Sequence, residues 1–180
     1  MFEHVKISGD PKPVPEAEVD GLETHLETGF PVGYREFVTR FGRGVLGDTY
    51  LILTGAALDA ELANEEEEVG CDIRVYLPEE IRDAVDGLDG WRERIEKYWF
   101  WDAGADVLSK KRALECIIIG DTTVGDELIF HPSNPDRIYI LPRDEDGVYA
   151  VDEGLTGAIE WLFGSGELYA SFKDRCFKAL

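Results

Sequence analysis

The sequence predicts an α+β fold, in which a single domain holds a mostly antiparallel sheet flanked by helices at both ends of the chain. Amphipathic helical patterns stand near the beginning and the end of the chain, and short apolar runs separated by turn-forming residues lie between them. No regular alternation of strands and helices and no glycine-rich phosphate loop is found in the sequence. With 180 residues and 44% hydrophobic content the chain fits one core, so we expect one domain over residues 1–180.

The first predicted helix follows Pro15. Val19, Leu22 and Leu26 recur at steps of three and four residues, which places them on one helical face, and Gly29 marks a stop. We expect this face to pack against the sheet.

A second helix is predicted in the segment PVGYREFVTRFGRG. Tyr34, Phe37, Val38 and Phe41 form an apolar stripe at helical spacing, and Gly42 stands where a left-handed C-terminal cap is expected. The stripe predicts a helix that packs through its aromatic side chains.

The middle of the chain has a different pattern. Residues 49–53 are short, rich in β-forming residues and bounded by glycines, as is typical of a buried strand. A longer helical and aromatic segment follows over residues 55–115, with helices expected at residues 58–68, 78–85 and 91–97. It is a partner surface or a further part of the core.

The second half predicts a meander followed by helices. After a helix near residues 106–113, apolar runs are separated by the turn-rich segments GDTTVGD, HPSNPD and RDEDG, which predicts three antiparallel strands. A helix at residues 155–163 then closes the domain. A last short helix is expected at residues 167–177.

The net charge of −20, from 38 Asp and Glu residues against 18 Lys and Arg residues, restricts the class of partner. Coulomb repulsion disfavours phosphate backbones and anionic headgroups, so we expect neither nucleic acid nor a membrane surface as a partner. The same charge would attract a cationic protein surface. An acidic surface that keeps the protein in solution, or that reflects a salt-loving host, explains the charge as well.

The amino-terminal segment MFEHVKISGDPKPVPEAE lacks the basic and apolar regions of a signal peptide, and no window approaches the roughly 20 apolar residues of a membrane-spanning helix. We therefore expect a cytoplasmic protein. The three cysteines, Cys71, Cys116 and Cys176, are far apart and form no zinc or redox motif, so we expect buried thiols and no cofactor.

The segment IIIGDTTVGDELIF raises the question of catalysis, because it places Asp121 and Asp126 close together. A pair of catalytic carboxylates needs rigid elements and one desolvated acid, whereas these two flank Thr and Gly residues that favour a turn. The spacing also fails the calcium-loop pattern. His131 stands alone before a proline, which favours a strand-edge role. We therefore expect the two aspartates to serve the geometry of the turn. We expect no catalytic residue and no metal site, and we do not expect an enzyme.

Several residues are nevertheless candidates for contact with a partner. The run of four glutamates that begins with Glu65 and Glu66 is a solvated helix face or a binding site. In the segment YWFW, burial is favoured, while the alternative makes Trp99 or Trp101 an anchor for a partner. The full set of predicted partner-binding residues is Asp121, Asp126, Glu127, Trp99, Trp101, Glu65 and Glu66.

Two blocks, FPVGYREFVTRFGRGVLGD and IIIGDTTVGDELIFHPSNPDRIYILPRDEDGVYAVDEGLTGAIEWL, resemble the SUKH superfamily, whose founding members regulate fungal cell-wall synthesis. The resemblance covers roughly half of the chain and rests on short motifs that report the fold. It departs from the family pattern at Phe30, where leucine is usual, and at Arg43, which interrupts the glycine turn. The matching positions are Pro31, Tyr34, Phe37, Gly42, Gly44, Gly125, Asp126, Leu128, Ile129, Phe130, Ile138, Tyr139 and Trp161.

The resemblance implies a SUKH-like domain that binds protein without catalysis, because bacterial members are largely immunity proteins that neutralise toxins, often nucleases. An acidic inhibitor suits a nuclease, which must present positive charge to phosphates. We therefore expect a basic partner, the cognate toxin. Two alternatives stay open: a regulatory or scaffold domain that binds an endogenous protein, and a metal-assisted hydrolase that uses Asp121, Asp126 and His131.

Overall fold

The computed structural model describes residues 2–48, 71–87, 90–98, 101, 105–171 and 175–180. These residues form eight strands and six helices. The strands are β1 (Lys6–Ser8), β2 (Gly44–Asp48), β3 (Ile73–Val75), β4 (Ile117–Thr122), β5 (Glu127–His131), β6 (Asn134–Leu141), β7 (Tyr149–Val151) and β8 (Arg175–Ala179). The helices are α1 (Glu16–Leu26), α2 (Tyr34–Arg40), α3 (Pro78–Asp86), α4 (Trp91–Lys97), α5 (Lys110–Ala113) and α6 (Gly154–Gly164).

The strands form one sheet in the order β1-β8-β2-β3-β4-β5-β6-β7. Among the described strands, β1 and β8 pair in parallel, and every other neighbouring pair is antiparallel. The predicted α+β class, with a mostly antiparallel sheet and flanking helices, is confirmed.

Helices cover both faces of the sheet. Successive side chains of a strand point to opposite faces, and in β5 Leu128 and Phe130 join one apolar cluster while Ile129 joins another. Residues of α1, α2, α3 and α6 belong to the first cluster, and residues of α4 and α5 to the second. The domain is therefore a three-layer arrangement with two cores, and the expectation of one core was wrong.

The two amino-terminal helices are confirmed. The stripe of Tyr34, Phe37, Val38 and Phe41, which runs along α2 to the residue after it, is fully buried, as its spacing predicts. Gly42 follows in the left-handed region with φ of 68°, and a Cβ atom there would lie 1.8 Å from the Lys12 carbonyl oxygen. This glycine is required both by its backbone angle and by the close approach of the neighbouring chain.

The predicted helices at residues 78–85, 91–97 and 155–163 are confirmed as α3, α4 and α6. The helix expected at residues 106–113 begins later, at Lys110, where the Ser109 side chain accepts a hydrogen bond from the Arg112 amide. The predictions at residues 49–53 and 58–68 lie outside the described residues.

The meander contains four strands, β4 to β7, and the prediction of three was wrong. The composition of the segment HPSNPD predicts a turn, yet residues from Asn134 onward pair with β5, beginning opposite His131. The turn is confined to residues 132 and 133. A proline at position 135 is tolerated within β6 near the start of the strand.

The final helix predicted at residues 167–177 was also wrong. Residues 175–179 form β8, which pairs with β1 on one side and β2 on the other. Phe177 is buried, and its ring lies 4.8 Å from that of Phe41 between centroids. Long-range strand pairing and aromatic packing determine the conformation of this segment, and its local sequence pattern indicates neither.

Cys71, Cys116 and Cys176 are buried free thiols, as the sequence predicts. Burial raises the pKa of each thiol above its ordinary value, so these cysteines are poor nucleophiles. Within the described ranges, no helix has the length and apolar composition needed to cross a membrane.

Candidate partner-binding groove

Asp126 lies at the end of the turn between β4 and β5 and connects three separate segments. Its Oδ2 accepts hydrogen bonds from Thr122 Oγ1, at 2.9 Å, and from the Tyr169 hydroxyl, and its Oδ1 accepts one from the Arg143 amide, at 3.1 Å. Only 3% of the residue is exposed. A buried carboxylate with three donors fixes the β4–β5 turn, the β6–β7 loop and the segment after α6 relative to one another.

The turn itself is built as its composition predicts. The Asp126 amide donates to Thr122 Oγ1 at 3.0 Å, and the Gly125 amide donates to the Thr122 carbonyl at 2.9 Å. Gly125 has φ of 103°, and a Cβ atom there would lie 2.8 Å from Arg143 Cδ. The prediction that Asp126 serves turn geometry is therefore confirmed.

The three segments enclose a concave site of about 490 Å³, here called the acidic groove. Its lining combines apolar side chains, which are buried or half-buried, with exposed carboxylates. The lining residues are Val124, Asp126, Pro142, Asp144, Glu145, Gly166, Glu167, Leu168, Tyr169 and Ala170.

The electrostatics of the acidic groove favour a cation. Asp144, Glu145 and Glu167 are exposed at the groove, so they place negative charge above an apolar lining. Burial, followed by the hydrogen bond to Asp126, raises the pKa of Tyr169, so that its hydroxyl stays protonated as a donor. Burial, followed by the hydrogen bond to Glu145, also raises the pKa of Tyr149. The groove suits a ligand with an apolar stem and a positively charged end.

Asp121 flanks the turn, as the sequence predicts, but it lies within β4 and its expected role in turn geometry was wrong. Arg74 of β3, its paired neighbour in the sheet, donates to both carboxylate oxygens at 3.1 and 2.7 Å. The Tyr76 hydroxyl donates to Oδ2 at 2.8 Å. The carboxylate is thus engaged by its own sheet, on the face opposite the first core.

Glu127 is buried, with 4% exposure, so its predicted place on an outer face is corrected. Its Oε1 accepts two hydrogen bonds from Arg94 of α4, at 3.1 and 2.8 Å. The Tyr98 side chain is a further hydrogen-bond partner of this carboxylate. Burial raises the pKa of Glu127, and the pairing with Arg94 opposes that shift. Asp126 is likewise buried and does not lie on an outer face, because its carboxylate accepts hydrogen bonds from the three donors described above.

Trp101 is buried, and its indole N–H donates to the Ile95 carbonyl. The expectation of burial is confirmed for this residue. The alternative, in which Trp101 is an exposed anchor for a partner, was wrong. The second apolar cluster explains the burial, because Trp101 packs there beside α4 and α5. Trp99, Glu65 and Glu66 lie outside the described residues.

The three residues of the hydrolase alternative occupy separate networks. Asp121 pairs with Arg74, Asp126 holds the turn, and His131 lies 3.2 Å from a Glu115 carboxylate oxygen through Nε2. The described part of the chain contains no group of three His, Cys, Asp or Glu side chains arranged to hold a metal ion.

Sequence reasoning missed most of the acidic groove. The sequence pattern predicts for Tyr169 a helix that does not form, and it indicates only a turn at Asp144 and Glu145. The run RDEDG carried a usable signal, since consecutive acids in a loop between two strands are exposed. Its position opposite residues 166–170 depends on tertiary packing.

No protein-family model, curated protein or solved structure matches this chain.

Proposed function

We propose that this protein is a non-catalytic binding module whose acidic groove receives a lysine or arginine side chain of a basic protein partner. The observation that carries the proposal is the groove itself, in which exposed carboxylates stand above apolar side chains. Lys and Arg bury an apolar stem while keeping a charged end in a polar setting, which matches this lining.

The rigidity of the groove supports a binding role. Because Asp126 ties together the three segments that form the groove, the acidic side chains are carried on a frame fixed before any partner arrives. A preformed site loses less conformational entropy on binding than one that must be ordered.

The net charge supports a basic partner. At −20, the chain attracts a positively charged protein at long range and raises its association rate, and salt screens this attraction. Nucleic acid and anionic membranes are repelled by the same charge.

We place this binding role in toxin neutralisation: the protein acts as an immunity protein in the cytoplasm, and its partner is a cognate toxin, such as a nuclease. The resemblance of the sequence to the SUKH superfamily and the acidity of the chain both support this reading. A nuclease presents positive charge to phosphates, so an acidic groove that captures a basic side chain would obstruct the substrate site.

The experiment is co-expression of this protein with the product of the neighbouring gene, which we propose is the toxin, with growth of the cells as the readout. The test variant reverses two charges of the groove, Asp144→Lys with Glu167→Lys. The matched control reverses two exposed acids, Glu3→Lys with Asp10→Lys, beside β1 at the far edge of the sheet. Both double variants change the net charge by the same amount.

We expect wild-type protein and the control variant to restore growth and the groove variant to fail. Equal protection by all three proteins would refute the role of the groove. If the wild-type protein binds an endogenous basic protein but gives no protection, the binding module would stand as a regulatory or scaffold domain and the toxin assignment would be wrong.

A further inference from the structure

Strand β7 lies at one edge of the sheet. It pairs with β6 through Tyr149, Ala150 and Val151, and no strand of the described residues lies on its other side. In an antiparallel ladder, successive residues direct their backbone N–H and C=O groups alternately towards one neighbouring strand and towards the other side. Part of the β7 backbone is therefore open to a further strand.

This open edge adjoins the acidic groove. The loop from β6 to β7 contributes Asp144 and Glu145 to the groove, and the Tyr149 hydroxyl donates to Glu145 Oε2 at 3.0 Å. Successive residues of a strand are about 3.3 Å apart, so a chain that runs alongside Tyr149 comes within a few residues of the groove. One segment can therefore pair with the edge and place a side chain in the groove.

The two faces of β7 differ in their relation to the groove. Tyr149 and Val151 are half-buried and pack against the first apolar cluster. Val124 and Leu168 of the groove lining pack against the same cluster, so the groove lies on this side of the sheet. Ala150 points to the other side and is exposed. An added strand alternates in the same way, which directs every second side chain towards the side of the groove.

The charge along this edge determines the kind of partner that it attracts. Residues 144–153, which contain β7 and its flanks, hold five acidic residues and no basic residue, and all five acids are exposed. Arg137, through an ion pair with Asp152 at 2.8 Å, and Arg143, directly before the run, offset two of these charges. At the opposite edge, residues 3–12 around β1 hold two acids and two basic residues. A basic segment is therefore attracted to β7 in preference to β1.

We propose that an extended segment of the basic partner, with lysine or arginine at alternate positions, adds to the edge of β7 and places one of these side chains in the acidic groove. This inference rests on the proposed function of the groove and names the conformation of the ligand. Backbone hydrogen bonds along β7 contribute affinity, and the alternate side chains contribute specificity. A second copy of this chain is a poorer occupant, because pairing between two β7 edges would bring two acidic runs together.

The first test uses a short synthetic peptide in which lysine alternates with threonine, with binding measured by calorimetry at low salt. Two further peptides carry backbone N-methyl groups, one on every lysine and the other on every threonine. Because only alternate amides of an added strand face β7, one methylated peptide should lose affinity by about tenfold or more, and the other should bind as the parent does. Undiminished binding of both methylated peptides would overturn the proposal.

Hydrogen exchange of the β7 amides locates the bound peptide. At a peptide concentration about ten times its Kd, exchange of an outward amide among residues 149–151 should slow about tenfold, because the bound fraction is protected. The amides of β1 are the internal control and should keep their exchange rates. Peptide binding without added protection in β7 would overturn strand addition, and so would equal protection in β1.

The charge-reversal variants distinguish this inference from the proposed function. Asp144→Lys with Glu167→Lys should weaken binding of the parent peptide, and Glu3→Lys with Asp10→Lys should not. If binding depends on the groove charges but β7 gains no protection, the groove role stands and strand addition is wrong. Binding that is unchanged in the groove variant would overturn both. Protection of β7 that rises with the concentration of the protein alone would identify a second copy as the occupant and would overturn this inference only.

Discussion

The Tyr169 hydroxyl donates a hydrogen bond to the carboxylate of Asp126, a residue 43 positions earlier in the chain. This contact joins the segment after α6 to the β4–β5 turn and closes one side of the acidic groove. The aspartate that most invites a catalytic interpretation is thereby a positioning residue, which holds the surface that we propose as the binding site.

Replacement of Asp126 by Ala should destabilise the protein by roughly 3 kcal/mol, because the Thr122 donor loses its acceptor in a buried setting and the Arg143 and Tyr169 donors lose theirs in a part-buried one. Urea unfolding measures this loss. Asp144→Ala, an exposed acid of the same groove, is the control and should change stability by less than about 0.5 kcal/mol. Equal effects of the two changes would contradict the positioning role.

Removal of the Tyr169 hydroxyl alone should have a smaller effect. Tyr169→Phe keeps the ring and leaves Asp126 two of its three donors, so a loss of about 1 kcal/mol is expected. Tyr149→Phe removes a hydroxyl that donates to the exposed Glu145 and should cost less. If Tyr149→Phe proved the more damaging of the two, the buried contact would not carry the energy assigned to it.

The raised pKa of Glu127 predicts that the stability of the protein depends on pH. Burial raises its folded-state pKa above the ordinary value, so the folded protein holds this proton over a range in which the unfolded chain has lost it. Its contribution to stability is therefore present below the unfolded pKa and is lost as the pH rises through the raised folded pKa. In Glu127→Gln this fall should be absent.

Urea unfolding at a series of pH values across that range gives the comparison. Glu96→Gln, an exposed change in the neighbouring helix α4, serves as the control and should keep the wild-type pH dependence. The contrary result is a wild-type stability that rises with pH over the same range, as that of Glu127→Gln does. It would show that burial does not dominate the pKa of Glu127.

The turn glycine after α2 provides a test of the fold. Gly42→Ala should destabilise the protein by about 3 kcal/mol or more, because the new Cβ meets the Lys12 carbonyl and the backbone has positive φ. Gly29→Ala introduces a Cβ with no atom within 4 Å and is the control. Thermal denaturation of both variants, monitored by circular dichroism, distinguishes them. Similar melting temperatures would contradict the close packing at Gly42.

Local patterns in the sequence were sufficient for the elements whose cores are periodic. The spacing of Val19 and Leu22 predicted α1, and that of Tyr34, Phe37 and Phe41 predicted α2, because a single buried face repeats with the helical period. The turn role of Asp126 also followed from the residues around it.

The elements that the sequence did not reveal depend on distant partners. Strand β8 is five residues long and has no clear alternation, and it is formed by pairing with β1 and β2 from the opposite end of the chain. The acidic groove was missed for the same reason: Tyr169 reaches Asp126 only after both segments have packed on the sheet. Burial of Glu127 depends likewise on Arg94 of α4.

The most direct test of the proposed binding role is the association rate of this protein with the purified product of the neighbouring gene, which we propose is its toxin partner, measured at low and high salt. Asp144→Lys with Glu167→Lys should slow association by about tenfold at low salt, and Glu3→Lys with Asp10→Lys should slow it far less. The difference should shrink as salt screens the groove. Identical rates for the two double variants would contradict a basic partner docked at the acidic groove.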